Sequence, residues 1–411
     1  MRKLTGMFAV AMLSMIASLC WGQSGGSGGG GANCSKMSLG IGASLNGYIP
    51  LPPSSLWNQN VSNTPVDPNS SAIISFIGSN VGMHSDFGSG YWQGKIIGNP
   101  YIVVDGNQPT VNIHLTDYPT ESDPGPMPIP PNAPVQGDPN PPPNTDRHVM
   151  VLDSGNCWLY ELWHAFKQND GSWNAGTAAV WDMTTNEHRP WTWTSADAAG
   201  TPMFPGMVRY DEVAAGVINH ALEYTLRYTK EAFTPPVSHF APNSGNPLAA
   251  PMGMRMRLKA NFDIAPFPKE VQVILTALKK YGMILVDNGA PMFLSGTPDS
   301  RWNNSNLATF SQVKASDFEV LLISPLYTRF NYPKGPIPIV NSVSATTSGG
   351  PGQAVTISWN VTYGEYYSLA PTIGALRTTS VVVYPTSTTT YTLTATNSYG
   401  RATGSVTVPV P

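Results

Sequence analysis

Charge is scarce in this chain. Asp, Glu, Lys and Arg together make up 11% of its 411 residues, and the formal net charge is −3. A nucleic acid or an anionic membrane is held by a dense basic face, so neither is an expected partner. Cysteine is scarcer still, with three residues in all and no Cys-x-x-Cys pair, which leaves no cysteine zinc site. The sequence has no H-E-x-x-H and no G-x-S-x-G, and its glycine clusters open no strand-to-helix turn. These absences remove the usual text of a zincin, of a nucleophile-elbow hydrolase and of a phosphate-binding loop. No cofactor is implied. Long apolar runs are also missing after the N-terminus, so no later segment is expected to span a membrane.

Glycine and proline are abundant instead, at 39 residues each, which together with low charge describes a loop-rich β protein. The start of the chain reads as an export signal. Arg2 and Lys3 precede an apolar stretch from Met7 to Cys20, and cleavage is expected near Gly22, giving a signal peptide over residues 1–22. A Gly/Ser linker follows over residues 23–33. The mature chain of roughly 390 residues then retains only Cys34 and Cys157. In an exported protein these most simply form one disulfide; two free thiols are the alternative.

Asp146 to His164 is the densest chemical stretch. Two strand-like runs flank Asp153-Ser154-Gly155-Asn156, whose residue types favour a turn, so the segment is expected to form a β-hairpin. Pairing Leu152 with Cys157 would set His148 opposite Glu161 and Asp146 opposite Trp163, all four on one face. Further strands are expected at Tyr101–Val104, Thr110–Leu115, Thr177–Asp182, Ile218–Arg227 and Met254–Asp263 by residue type or period-two alternation. Asp287-Asn288-Gly289 between two apolar runs signals a second hairpin. Short helices are expected at Ala72–Ile77 and Asp211–Ala215. Lys269–Tyr281 carries the one convincing helical stripe, Val271, Ile274, Leu275, Leu278 and Tyr281, ended by Gly282. Residues 119–143 hold 11 prolines in 25 positions, which excludes regular structure and leaves either a linker or, preferably, a strap across the sheet.

After Lys334 the composition shifts to Ser, Thr and Val in short alternating runs, with Trp359, Tyr391, Leu393 and Ala395 as candidate core. The text S-W-N-V, P-T-I-G and P-T-S-T-T-T-Y-T-L-T-A-T-N-S-Y-G resembles the Ig-like repeats appended to many exported bacterial proteins. That resemblance implies a β-sandwich spacer or binding module over residues 336–411. In the larger domain, residues 34–332, the text D-R-H-V-M-V-L-D, L-Y-E-L, T-S-A-D-A-A-G, M-V-R-Y-D-E-V-A-A-G, I-N-H-A-L and P-M-G-M-R-M-R-L-K-A resembles an uncharacterised family of secreted bacterial and fungal proteins. This second resemblance implies export and transfers no activity. The expected fold is mainly β: a large antiparallel β-sandwich-type domain with one packed helix, then the Ig-like sandwich.

The chemistry expected of an exported, tryptophan-rich β domain is carbohydrate cleavage, hydrolytic or lytic, by paired carboxylates on a polysaccharide. Glu161 and Asp182 are the preferred acid/base pair and His148 the support for Glu161, with Asp197, Asp211 and Glu212 as further acids. Trp163, Trp181, Trp191 and Trp193 are candidate sugar platforms, although tryptophans equally fill β cores. Arg255 and Arg257 lie on one cationic strand face suited to an anionic glycan. Two alternatives stand beside this. One is a non-catalytic surface or matrix protein that binds glycan. The other is a metal-dependent enzyme, for which His84-Ser85-Asp86 and Asp146-Arg147-His148 each place two ligand types at i, i+2. His220, inside an apolar stripe, reads as a core histidine.

Overall fold

The structure is a computed structural model that describes residues 33–141, 145–347 and 350–411. The expected signal peptide, and all of the linker but Asn33, lie outside the described residues. Among those residues no helix is long and apolar enough to cross a membrane.

The protein is mainly β, with several sheets and few helices. A five-stranded sheet runs in the order Gly40–Ile41, Tyr101–Val104, Val149–Asp153, Trp158–Trp163, Thr177–Asp182. A six-stranded sheet runs Phe318–Val320, Arg255–Leu258, Met283–Asn288, Leu222–Leu226, Phe293–Ser295, His84–Asp86. The sheets are mixed rather than antiparallel as expected. Tyr101–Val104 pairs parallel with Val149–Asp153, Leu222–Leu226 with Met283–Asn288, and Phe293–Ser295 with His84–Asp86. Parallel neighbours require long crossovers: the proline-rich segment lies between Tyr101–Val104 and Val149–Asp153, and helix Lys269–Lys280 lies between Leu222–Leu226 and Met283–Asn288.

The hairpin of Val149–Asp153 and Trp158–Trp163 forms, but its register slips from the expected one. Leu152 pairs with Leu159 and Met150 with Glu161, so His148 does not sit opposite Glu161. Asp153 pairs with Trp158, and its Oδ1 accepts from the amides of Gly155 and Asn156 at 2.9 Å each, which slides the turn one residue along both strands. The second expected hairpin does not form. Met283–Asn288 and Phe293–Ser295 instead flank Leu222–Leu226, which inserts between them.

Helix Lys269–Lys280 buries Val271, Ile274, Leu275 and Leu278 against the six-stranded sheet in the largest core. The two short helices expected form as Ser70–Ile77 and Tyr210–Ala215, and a further one, Asn304–Leu307, was not expected. One face of the five-stranded sheet packs on Met203, Phe204 and Met207. Its other face packs on Met127, Ile129 and Val135 of the proline-rich segment, which lies as a strap. Cys34 and Cys157 stand at disulfide distance, with Cα atoms 5.7 Å apart, and fasten the N-terminal segment to the hairpin turn.

The C-terminal part has a three-stranded and a four-stranded sheet around Trp359, Leu369, Tyr391 and Leu393. It packs against the larger part. Tyr366 joins the core beneath the strap and its hydroxyl donates to Asp123 at 3.3 Å. Arg377 forms a bidentate pair with Asp182 and lies 4.0 Å above the Trp158 ring. Arg401 donates to the carbonyls of Ser122 and Pro119 at 2.6 and 3.0 Å.

Candidate active-site cleft

Period two places Glu161 and Asp182 on opposite faces of the five-stranded sheet. Glu161 shares its face with Leu159 and Trp181, whereas Asp182 shares the other with Ala178 and Val180. The expected acid/base pair therefore does not converge. Glu161 is fully buried and accepts from Trp181 Nε1 at 2.9 Å and from the amides of Met203 and Phe204 at 3.0 and 2.9 Å. It pins the short helical turn Phe204–Gly206 to the sheet, and burial pushes its pKa up to about 8. Asp182 is committed to Arg377.

The other expected site residues are also spoken for. Trp181 is buried. The Trp191 ring stacks on Phe233 at 5.8 Å, and Trp193 lies between the guanidinium groups of Arg189 and Arg401, at 5.7 and 5.1 Å. Arg255 donates to the carbonyls of Leu56, Gln59 and Tyr281, while Arg257 pairs with Glu319 and holds the carbonyls of Val61 and Thr64. These two arginines tie residues 56–64 to the sheet rather than facing a ligand. Asp197 is saturated by Ser195, Ala199 and Thr201, and Glu212 by Arg209 and His220. His220 is a buried, bonded core histidine.

A different cleft, of about 640 Å³, gathers the free chemistry. Its size lies within the range of ligand sites. One wall is the edge strand His84–Asp86, held at both ends by the buried side chains of Met83 and Phe87. Phe87 takes the space a side chain at 296 would need: a Cβ on Gly296 would lie 2.5 Å from its ring. His84 and Asp86 lie two apart on the strand and are both exposed, and the His84 ring stacks on Phe293 with centroids 4.3 Å apart.

The second wall is Asp146, at the open end of the hairpin. Trp163 Nε1 donates to Asp146 Oδ1 at 3.1 Å, and the amide of His164 donates to its carbonyl at 2.6 Å. Trp163 thus serves the cleft by orienting a carboxylate. The third wall is a small hairpin, Tyr91–Trp92 paired with Lys95–Ile96. Its turn residues Gln93 and Gly94 have φ of 52° and 79°, the backbone of a tight two-residue hairpin turn. Trp92 is 57% exposed and Lys95 Nζ sits 5.1 Å from its ring centroid. The strap closes this side, with Ile96 donating to the Asp138 carbonyl at 3.0 Å.

His148 is buried, with Nε2 2.8 Å from the Ala196 carbonyl and Nδ1 2.7 Å from Oε1 of the cleft-lining Gln136. Burial pushes its pKa down. It positions Gln136 and does not touch Glu161's carboxyl. Each wall also carries a non-glycine residue in the left-handed region beside a lining residue: Gln93 beside Trp92, Arg147 beside Asp146 and Met292 beside Phe293, at φ of 52°, 50° and 64°. Such backbone costs about 1–3 kcal/mol each and concentrates at functional sites.

Asp86 is the group whose environment is tuned. Although it faces the cleft, the walls withdraw water from its carboxyl, and this desolvation pushes its pKa up. His84 and Lys95 pull it down, and the charge of Asp146 pushes it up again. A carboxyl held towards its protonated form beside a second carboxylate is the arrangement that divides acid from base roles. Among the described residues no three His, Cys, Asp or Glu side chains gather as a metal site. In the sequence, His84-Ser85-Asp86 stands out only as possible metal ligands and Asp146 as a possible ligand and one of four groups on the hairpin face, while Trp92 and Lys95 are not singled out. The signal available was G-Y-W-Q-G-K-I, two aromatics ahead of a glycine turn. Comparisons with known protein families, with curated proteins and with solved structures find no match.

Proposed function

We propose that the protein cleaves a polysaccharide in the cleft between Asp86, Asp146 and Trp92. Asp86 acts as the acid that protonates the leaving oxygen. Asp146, held by the Trp163 indole, acts as base or nucleophile on the opposite side of the bond. Trp92 stacks on a sugar ring, and Gln136, set by His148, supplies a hydrogen bond to it. The observation that carries this reading is that two carboxylates, Asp86 on the edge of the six-stranded sheet and Asp146 just ahead of a strand of the five-stranded sheet, line one aromatic cleft. The low charge of the chain and the cysteine pair at disulfide distance support an exported setting. The C-terminal two-sheet part is, in this reading, an Ig-like sandwich that braces the strap.

The test is to incubate purified protein with a panel of neutral and acidic polysaccharides. New reducing ends and the ultraviolet absorbance of unsaturated products are followed. Cleavage by the wild type and a loss of at least about 100-fold in Asp146→Asn are expected. Polysaccharide binding without any product would move the reading to a glycan-binding surface protein, for which the exposed Trp92 and Tyr91 are the supporting observation.

A further inference from the structure

The six-residue hairpin that walls the cleft has a second concavity on its other side. This one measures about 480 Å³ and is lined by Ile41, Tyr91, Pro100, Tyr101, Pro134 and Arg301. Ile96 lines both. The hairpin is therefore a ridge one ribbon thick, and its consecutive aromatics are divided between the two sides, Trp92 in the first cleft and Tyr91 in the second. Tyr91 is 67% exposed and Ile41 57%, so the second side keeps large apolar surface in water. Neighbouring exposed apolar side chains on a rigid mount mark a binding face.

The mount is rigid. Its tight turn sets the ribbon, Lys95 bridges to Pro139 of the strap, and Asn140 Nδ2 donates to the Gly94 carbonyl at 3.3 Å. Across from Tyr91, the guanidinium of Arg301 lies over the Tyr210 ring at 4.4 Å and donates to Asp299 from Nε and Nη2 at 2.8 and 2.6 Å. That pairing neutralises its charge and fixes its plane while leaving Nη1 outside the pair. A fixed aromatic face opposite a fixed planar donor suits a hydroxyl-rich ring, with the ring's C–H face on Tyr91 and its oxygens towards Arg301.

We infer that the second concavity is a distal subsite of the same groove, so that the substrate is an extended glycan chain lying over the ridge and engaged on both sides. The inference rests on the cleavage reading of the first cleft. It assigns Tyr91, Ile41 and Arg301 to chain-length recognition, and it makes the enzyme one that acts within polymers rather than on disaccharides.

Cello-, xylo-, chito- and laminari-oligosaccharides of two, four and eight units are the probes. KM and kcat are measured for the wild type, Tyr91→Ala and Tyr91→Phe. For the oligosaccharide series that is cleaved, KM of the wild type should fall at least about tenfold on lengthening from four to eight units, which is the worth of one well-made contact. Tyr91→Ala should lose most of that gain through KM, and Tyr91→Phe should keep it. A wild type whose KM ignores length, or a Tyr91→Ala protein that keeps the full gain, overturns the distal subsite while leaving the first cleft standing. A wild type that cleaves none of the four series and none of the neutral and acidic polysaccharides overturns both readings.

Discussion

Glu223→Gln is the substitution through which the interior speaks most plainly. Glu223 lies on Leu222–Leu226, inside the six-stranded sheet, and is 1% exposed. Its Oε1 has no hydrogen-bond partner among the described residues, and its side chain packs so tightly that a Cβ on Gly206 would lie 2.2 Å from its Cγ. Burial raises its pKa well above the ordinary value, and the charges of Asp197, Glu161 and Asp287 raise it further. The folded protein therefore keeps it as a neutral acid, while the unfolded chain releases the proton near 4.5. The sign follows. Below the unfolded pKa both states are protonated and the group costs nothing. As pH rises above it, only the unfolded chain ionises, so stability falls at about 1.4 kcal/mol per pH unit until the folded pKa is reached. Glutamine fills the same space and cannot ionise. Urea unfolding of both proteins at about pH 5, 6 and 7 should show the variant gaining on the wild type as pH rises, by at most about 1.4 kcal/mol for each unit. Parallel stability curves would refute the assignment of a neutral buried acid.

Three further outcomes follow from the packing. Cys34→Ser removes a link that spans 123 residues of chain, and should lower stability by about 4 kcal/mol, read from urea unfolding under oxidising conditions; a change below about 1 kcal/mol would mean the link is not formed. Arg377→Ala leaves Asp182 without its cationic partner, held by the amide and hydroxyl of Thr184. Because the arginine side chain is 38% exposed, the expected loss is discounted to about 1–3 kcal/mol, and trypsin should then release the C-terminal part faster than in the wild type. Leu275→Ala empties a fully buried position under the long helix and should cost about 2–5 kcal/mol in the same unfolding assay.

Local signals in the sequence carry the elements that local signals make. The helix Lys269–Lys280 is legible because its stripe, its flanking prolines and Gly282 all agree. The strap is legible because proline leaves little else. The hairpin at Asp146–His164 is legible as a hairpin, but its register depends on Asp153 bonding two amides of its own turn, which residue types alone do not reveal. The Asp287-Asn288-Gly289 signal misleads because Leu222–Leu226, some 60 residues away, takes the place between its two flanking strands. The candidate site suffers most from this blindness. Glu161 and Asp182 look paired in sequence and are divided by a sheet. Asp86, on the edge of the six-stranded sheet, and Asp146, ahead of the central strand of the five-stranded sheet, come to one cleft only when the strap and the small ridge close round them.

In the proposed cleavage, chemistry resides in the cleft and not at Asp182, the acid bound to Arg377. Reducing-end release from the best polysaccharide by Asp86→Asn and by Asp182→Asn, each confirmed folded by circular dichroism, tests it most directly. Asp86→Asn should fall by at least about 100-fold while Asp182→Asn stays within about threefold of the wild type. Retained cleavage in Asp86→Asn together with its loss in Asp182→Asn would place the chemistry at Asp182 instead.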